Sequence, residues 1–148
     1  ALISFRGKGA ELLLPPTRSL VRAKRQLIGL PGGGGTPLAS GLQSAALIAD
    51  GVRRKGRIPV IVLMTDGSAN VALDGKGGRS QAEADALNAA KMIFLSGISA
   101  LMIDTATRPR EQAKKIAEAM QGTYLPLPHA KSQGVANAVK KTVSGDFA

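Results

Sequence analysis

The chain contains no cysteine and no tryptophan, one histidine, one tyrosine and three phenylalanines among 148 residues. Without cysteine there is no disulfide framework and no thiolate metal site, which fits a reducing compartment. The four aromatics are scattered, so no stacking platform for nucleic acid is visible. No apolar run approaches the length of a membrane span, and no charged-then-apolar leader opens the sequence. Catalytic signatures are missing too. Gly35 is followed by Thr36 with no lysine, which argues against a P-loop, and neither G-x-G-x-x-G in a strand-to-helix setting nor a G-x-S-x-G elbow occurs. His129 stands alone near the end of the chain and reads as a surface residue, so Ser/His hydrolysis has no support.

What is present is apolar and basic. Apolar residues make up 44% of the chain, enough for one domain with a real core over residues 1–148. The net charge of +10 is uneven: residues 1–60 carry ten Lys or Arg against Glu11 and Asp50, and the remainder carries ten against eight acids. A basic surface attracts nucleic acid, anionic membrane or acidic protein through the same field. With so few aromatics, an acidic protein segment fits better than nucleic acid.

The stretch from Arg57 to Asn70, RIPVIVLMTDGSAN, organises the rest. Six of the seven residues from Ile58 to Met64 are apolar, which predicts a strand buried on both faces. It runs straight into Thr65, Asp66 and Gly67, the place where open α/β sheets bind ligands. Asp66-Gly67 alone could simply open a turn. Before this strand, Ala1–Arg6 and Ala10–Leu14 predict a hairpin joined by Gly7-Lys8-Gly9. Thr17 or Ser19 caps a helix to about Leu30, with Leu20, Ala23, Leu27 and Leu30 on one face. Pro31 stops it. Gly32 to Gly35 then lead into Thr36-Pro37 and a helix whose seam is Leu38, Leu42, Ala45, Ala49 and Val52, ending in Arg53, Arg54 and Lys55.

Beyond the strand, Gly67–Arg79 is a long polar loop at the ligand-binding edge. Ser80 and Glu83 predict a capping box for a helix with Leu87, Ala90 and Phe94 facing the core up to Gly97. Ile98–Ile103 is a second buried strand ending at Asp104. Pro109–Gln121 is a helix with Ala113, Ile116, Ala117 and Met120 inside, a Glu111–Lys115 pair and Gly122 as cap. Thr123–Leu127 is an edge strand because of Pro126, and Ser132–Val143 a last helix. This alternation predicts an α/β fold, Rossmann-like, with a mainly parallel sheet, helices on both faces and an antiparallel edge hairpin.

Among these residues the only convergent chemistry is hard oxygen: the Thr36 hydroxyl at a helix start and the Asp66 carboxylate at a strand end, a pair that suits Mg²⁺ and its waters. A phosphohydrolase would need a second carboxylate, for which Asp104 and Asp74 are the local candidates.

GGGGTPL before a helix and VIVLMTDGSAN at a strand end resemble the second and third loops of a von Willebrand factor A, or integrin I, domain with its metal-ion-dependent adhesion site. SFRGKGAELLLPPTRS, LPGGGGTPLASGL and LMTDGSANVAL resemble, more specifically, the C-terminal domain of the D subunit of magnesium chelatase, over nearly all 148 residues. The resemblance implies that Thr36 and Asp66 are metal ligands for Mg²⁺. Gly35, Ser68 and Asn70 beside them are candidates for partner binding, as are Arg53, Arg54 and Lys55 through their exposed charge. The family's first loop, D-x-S-x-S at the end of its first, central strand, is absent here. The chain therefore reads as an N-terminally truncated domain, with a gap expected between the Ala1 and Ile58 segments.

The implied role is in ATP-driven insertion of Mg²⁺ into protoporphyrin IX for chlorophyll or bacteriochlorophyll synthesis, a ligase reaction in photosynthetic cells. The implied partners are the AAA+ ATPase I subunit, which uses the ATP, the porphyrin-binding H subunit and an acidic protein segment, with no nucleic acid and no membrane span. The domain itself is expected to be non-catalytic and to sit in a bacterial cytoplasm or a chloroplast stroma. The alternatives are an adhesion-type binding domain of another complex and a basic nucleic-acid-binding domain.

Overall fold

A computed structural model describes residues 1–30, 33–127 and 132–144. Pro31, Gly32 and His129 lie outside the described residues. β1 (Leu2–Arg6) and β2 (Gly9–Leu14) form the expected antiparallel hairpin. Gly9, expected in the loop, already pairs with Arg6, leaving Gly7 and Lys8 as a two-residue turn. α1 (Leu20–Ile28) begins where Ser19 Oγ accepts a hydrogen bond of 3.3 Å from Arg22 N. α2 (Leu38–Arg54) buries Leu38, Leu42 and Ala49 of the predicted seam, with Ala45 packed beside them.

β3 (Val60–Thr65), β4 (Ser99–Asp104) and β5 (Thr123–Pro126) make a parallel sheet in the order β3-β4-β5. β5 is an edge strand, as Pro126 requires. α3 (Arg79–Leu95) lies between α2 and α4 (Glu111–Met120), and its alanines Ala82, Ala86, Ala89 and Ala90 let the three helices approach closely. This layer covers Ile61, Leu63, Ala100 and Met102 of the sheet. Leu101 and Ile103 point the other way, where α5 (Ser132–Ser144) packs on β4 and β5. Among the described residues no helix is long and apolar enough to cross a membrane.

Several expectations need correction. The central buried strand is β4, with strands on both sides; β3 is an edge of its sheet, and Val62 (43% exposed) and Met64 (54%) face outward. A continuous apolar run satisfies either setting, so composition could not distinguish them. The hairpin does not extend the parallel sheet through hydrogen bonds but stands apart from it. Between β1 and β3 runs a groove of about 600 Å³, lined by Ile3, Phe5, Val60 and Val62 and edged by Leu27 and Leu30. This is the expected gap. No residue of α1 is buried, so its apolar face covers little.

Local details differ as well. α3 starts at Arg79 from Gly78, with no side-chain cap bond, which puts Ser80 inside the first turn and removes the capping box. Ile93, not Phe94, is fully buried, because the row from Ala82 through Ala86 and Ala89 leads to it. Glu111 pairs with Lys114 at 3.5 Å rather than with Lys115. Gln121, not Gly122, takes the left-handed position that ends α4 (φ 47°), and Gly122 N donates to Ala117 O at 2.9 Å.

Candidate functional site

Of the predicted site residues, Gly35, Thr36, Asp66, Ser68 and Asn70 lie on loops that follow or flank the C-terminal ends of the strands. β3 delivers Thr65 and then Asp66, whose Oδ1 accepts hydrogen bonds from Ser68 N (2.9 Å) and Ser68 Oγ (2.5 Å). Asp66 therefore does serve as a turn former, but through one oxygen only. Among the described residues Oδ2 has no hydrogen-bond partner. The Ser68 hydroxyl is the main reason the Asp66 carboxyl sits below the usual carboxylate range; partial burial opposes the shift, and Ser68 N–H and the charge of Arg110 add to it. Asp66 is thus an ionised carboxylate with one oxygen to spare.

Gly67 follows with φ 81°, and a side chain there would collide with the backbone of Ala113. The close approach seats the Asp66 loop on the first turn of α4. On the opposite side stands the Thr36 loop. Thr36 N donates to Asn70 Oδ1 at 2.7 Å, while Asn70 N and Val71 N donate to Thr36 O at 3.2 and 3.4 Å. Asn70 mimics a strand partner and stitches the two loops together. Gly35 is enclosed: a Cβ there would lie 2.6 Å from Val71 Cγ2 and 2.7 Å from Gly7 O, and Gly35 O accepts from Gly7 N at 2.9 Å. Pro37 is the N-cap of α2 and makes no side-chain cap bond, so the Thr36 hydroxyl is not spent on the helix end.

The Gly67–Arg79 loop is fastened rather than open. Val71 bridges Gly77, Leu73 N donates to Asp85 Oδ2 at 2.9 Å, and Lys76 N donates to Asp74 Oδ1 at 2.9 Å. Gly35, Ser68 and Asn70 thus gather around Thr36 and Asp66. Arg53, Arg54 and Lys55 do not. They lie at the far end of α2, whose 17 residues span about 25 Å. There Arg53 binds Asp50 at 2.9 Å and donates to Ser96 O on the neighbouring helix end, and Arg54 binds Asp50 at 2.9 Å. The hydrogen bond from Arg53 is the main reason the Asp50 carboxyl is held down. Arg53 is a tie between α2 and α3, and Lys55 stays exposed.

Neither candidate for a second catalytic carboxylate is available. Asp104 is fully buried, accepting from Ala106 N at 2.9 Å and from the Tyr124 hydroxyl at 2.5 Å. Burial first, and then that bond, push the Tyr124 hydroxyl up to about 12. Asp74 is exposed and turned to its own backbone. Among the described residues no three of His, Asp or Glu gather as a metal-binding group. The donor set here is one ionised carboxylate and one hydroxyl, hard oxygens that fit Mg²⁺ as part of a shell completed by water and further ligands. Arg110 is the residue sequence reasoning passed over; its signal was a basic run, TRPR, just after a strand ending in an acid.

Comparison with known proteins agrees with this architecture. The von Willebrand factor type A domain profile matches residues 1–68. The chain is 49% identical over 139 residues to the magnesium-chelatase 60 kDa subunit of Cereibacter sphaeroides, covering 94% of this chain and 25% of that protein. It therefore spans about a quarter of that relative's length. Two solved structures share the fold: BatB from Bacteroides thetaiotaomicron, with TM-score 0.70 and 20% identity over 96% of this chain and 78% of that one, and the SpRpn10 VWA domain, with TM-score 0.64 and 15% identity over 94% and 69%.

Proposed function

The chain is a von Willebrand factor type A domain of the magnesium-chelatase D-subunit family, and from that premise we propose that it is the subunit's metal-dependent interaction domain. The observation that supports this most is the stitching of the Thr36 and Asp66 loops by Asn70, which sets a hydroxyl and an ionised carboxylate on adjoining loops at one sheet edge. Thr36 and Asp66 would hold Mg²⁺ there. When bound, the ion supplies an open coordination position for a carboxylate of a partner. Each neighbouring residue has a separate task in this reading: Ser68 keeps Asp66 ionised, Asn70 fixes the Thr36 loop, and Gly67 anchors the site on α4.

The same reading places a further strand in the groove between β1 and β3, ending in D-x-S-x-S and adding the remaining oxygen ligands. In favour of it, the facing edges of β1 and β3 have no sheet partner among the described residues. The subunit so completed works with the ATPase I subunit and the porphyrin-binding H subunit in inserting Mg²⁺ into protoporphyrin IX. ATP is hydrolysed by the partner. The site described here holds ligands and hydrogen-bond donors but no paired base and nucleophile, which favours a binding role over catalysis. To test this, Asp66→Ala is introduced into the complete chelatase. Chelation should be lost while the I subunit's ATP hydrolysis persists; chelation at the unmutated rate would refute the proposal.

A further inference from the structure

We propose that Asp104, the one fully buried acid among the described residues, is an electrostatic partner of the cation at the Thr36–Asp66 site, attracting it through the protein without touching it. This rests on reading that site as a cation site. β3 and β4 end in register, with Thr65 opposite Asp104, so Asp104 stands one strand spacing, about 4.8 Å, from the residue that precedes Asp66. Two hydrogen bonds fix the strand ends to each other and to the turn. Thr105 N donates to Thr65 O at 3.1 Å, and Thr65 Oγ1 accepts from Gly67 N at 3.2 Å. Alternation along β4 puts Asp104 on the same side as Met102, under the helix layer in which Ala113 meets Gly67.

A carboxylate buried there is destabilising unless something answers its charge. Asp104 accepts from Ala106 N at 2.9 Å and from the Tyr124 hydroxyl at 2.5 Å, donors that satisfy both oxygens without neutralising them. Among the described residues no cation lies within ion-pair distance of it. Its influence reaches its neighbours: after burial, Asp104 is the main cause that raises the Tyr124 hydroxyl. The other acids of this edge differ. Glu111 is exposed and pairs with Lys114, and Asp74 is exposed, so water and salt screen both. Asp66 brings one negative charge against the two positive charges of the ion. A second negative charge, fixed in the dry layer one strand away, strengthens the hold, because burial raises a Coulomb interaction several-fold over its value in water. Acting from beneath, it takes up no coordination position and leaves those to water and the partner.

The test uses the full-length chelatase subunit without nucleotide, titrated with Mg²⁺ by calorimetry, with urea midpoints in EDTA as the measure of folding. Asp104→Asn keeps the shape and both hydrogen bonds, because its amide oxygen accepts from Ala106 N and its amide nitrogen donates to the Tyr124 oxygen, and removes only the charge. Mg²⁺ affinity should fall about tenfold. Tyr124→Phe does the reverse, removing a bond and keeping the charge, so the urea midpoint should fall while Mg²⁺ affinity stays within about twofold. Glu111→Gln removes an exposed charge and should also stay within about twofold; a loss equal to that of Asp104→Asn would overturn the argument from burial. If affinity falls in Asp104→Asn and Tyr124→Phe alike, in step with their midpoints, Asp104 is a structural residue only and the proposal is refuted. If Asp104→Asn binds Mg²⁺ like the unmutated protein while Asp66→Ala does not bind, the role of Asp104 is refuted and the site reading stands. If Asp66→Ala binds like the unmutated protein, both fall. Should Asp104→Asn fail to fold, the unmutated subunit with ¹³C-labelled aspartate decides. The Asp104 carboxyl resonance should shift with Mg²⁺ at the same midpoint as that of Asp66, and a resonance that does not move refutes the proposal.

Discussion

Replacing Asn70 by alanine isolates the contact that joins the two halves of the site. The substitution removes one neutral hydrogen bond, Thr36 N to Asn70 Oδ1 at 2.7 Å, and keeps the backbone bonds from Asn70 N and Val71 N to Thr36 O. Such a bond contributes about 0.5–1.5 kcal/mol net. Asn70 is exposed, so water can replace its oxygen and the low half of that range applies to folding. For the site, the same energy keeps the Thr36 loop in register with Asp66. If all of it is expressed in ligand affinity, Mg²⁺ should bind about 2- to 12-fold more weakly. Asn70→Asp keeps an acceptor in place and should recover most of the loss. Calorimetric titration of the subunit with Mg²⁺ measures both variants, with urea midpoints as the folding control. Unchanged affinity in Asn70→Ala would show that the Asn70 side chain does not hold the Thr36 loop in register for the ion.

Three further outcomes follow from contacts elsewhere. Tyr124→Phe leaves one oxygen of buried Asp104 without its partner and should cost about 1–3 kcal/mol in urea denaturation; a loss under about 0.5 kcal/mol would mean that the bond is incidental. Gln121→Gly should stabilise the fold by about 0.5–1 kcal/mol, because a left-handed residue with φ 47° then carries no side-chain penalty; a lower thermal midpoint would contradict this. Ser68→Ala removes the main cause of the lowered Asp66 pKa. Because that depressed value contributes stability above the unfolded carboxylate range and loses it as pH falls, the variant's Mg²⁺ binding should fail at higher pH on acidification than the unmutated protein's. Identical acid profiles would assign the shift elsewhere.

Much of the fold was legible because its causes are local. The seam Leu38, Leu42, Ala45, Ala49 and Val52 and the set Ala113, Ile116, Ala117 and Met120 recur at three and four residues, and all of them are buried except Ala45 and Val52, which are half-buried. Pro126 announced an edge strand, and Ser19 a helix start. The errors arose where two local readings were equally good. Ile58–Met64 is apolar whether one face or both are covered, and only its neighbours make β3 an edge. Glu111 could reach Lys114 or Lys115. α1 has a well-formed apolar stripe, yet nothing in its own residues says whether another element covers it.

In the site, Thr36 and Asp66 could be singled out by position, at a helix start and a strand end. The agent joining them could not. Asn70 is 34 residues from Thr36, and its amide reads in sequence as one more polar loop residue. The same distance problem hid the tie from Arg53 to Ser96, which is 43 residues away, and left the basic trio looking like a free surface. Arg110 was obscured because its importance comes from the Gly67–Ala113 contact, a meeting of two loops that no spacing rule anticipates.

The claim on which the account depends is that Thr36 and Asp66 hold one divalent cation between them. Substituting Mn²⁺ for Mg²⁺ in the isotope-labelled subunit and recording paramagnetic broadening of backbone amides tests it directly, because broadening falls steeply with distance from the ion. The amides of Thr36, Gly67, Ser68 and Asn70 should broaden first and together, and the effect should disappear in Asp66→Ala. Broadening centred instead on Asp74 and Asp85, or unchanged by Asp66→Ala, would contradict the account.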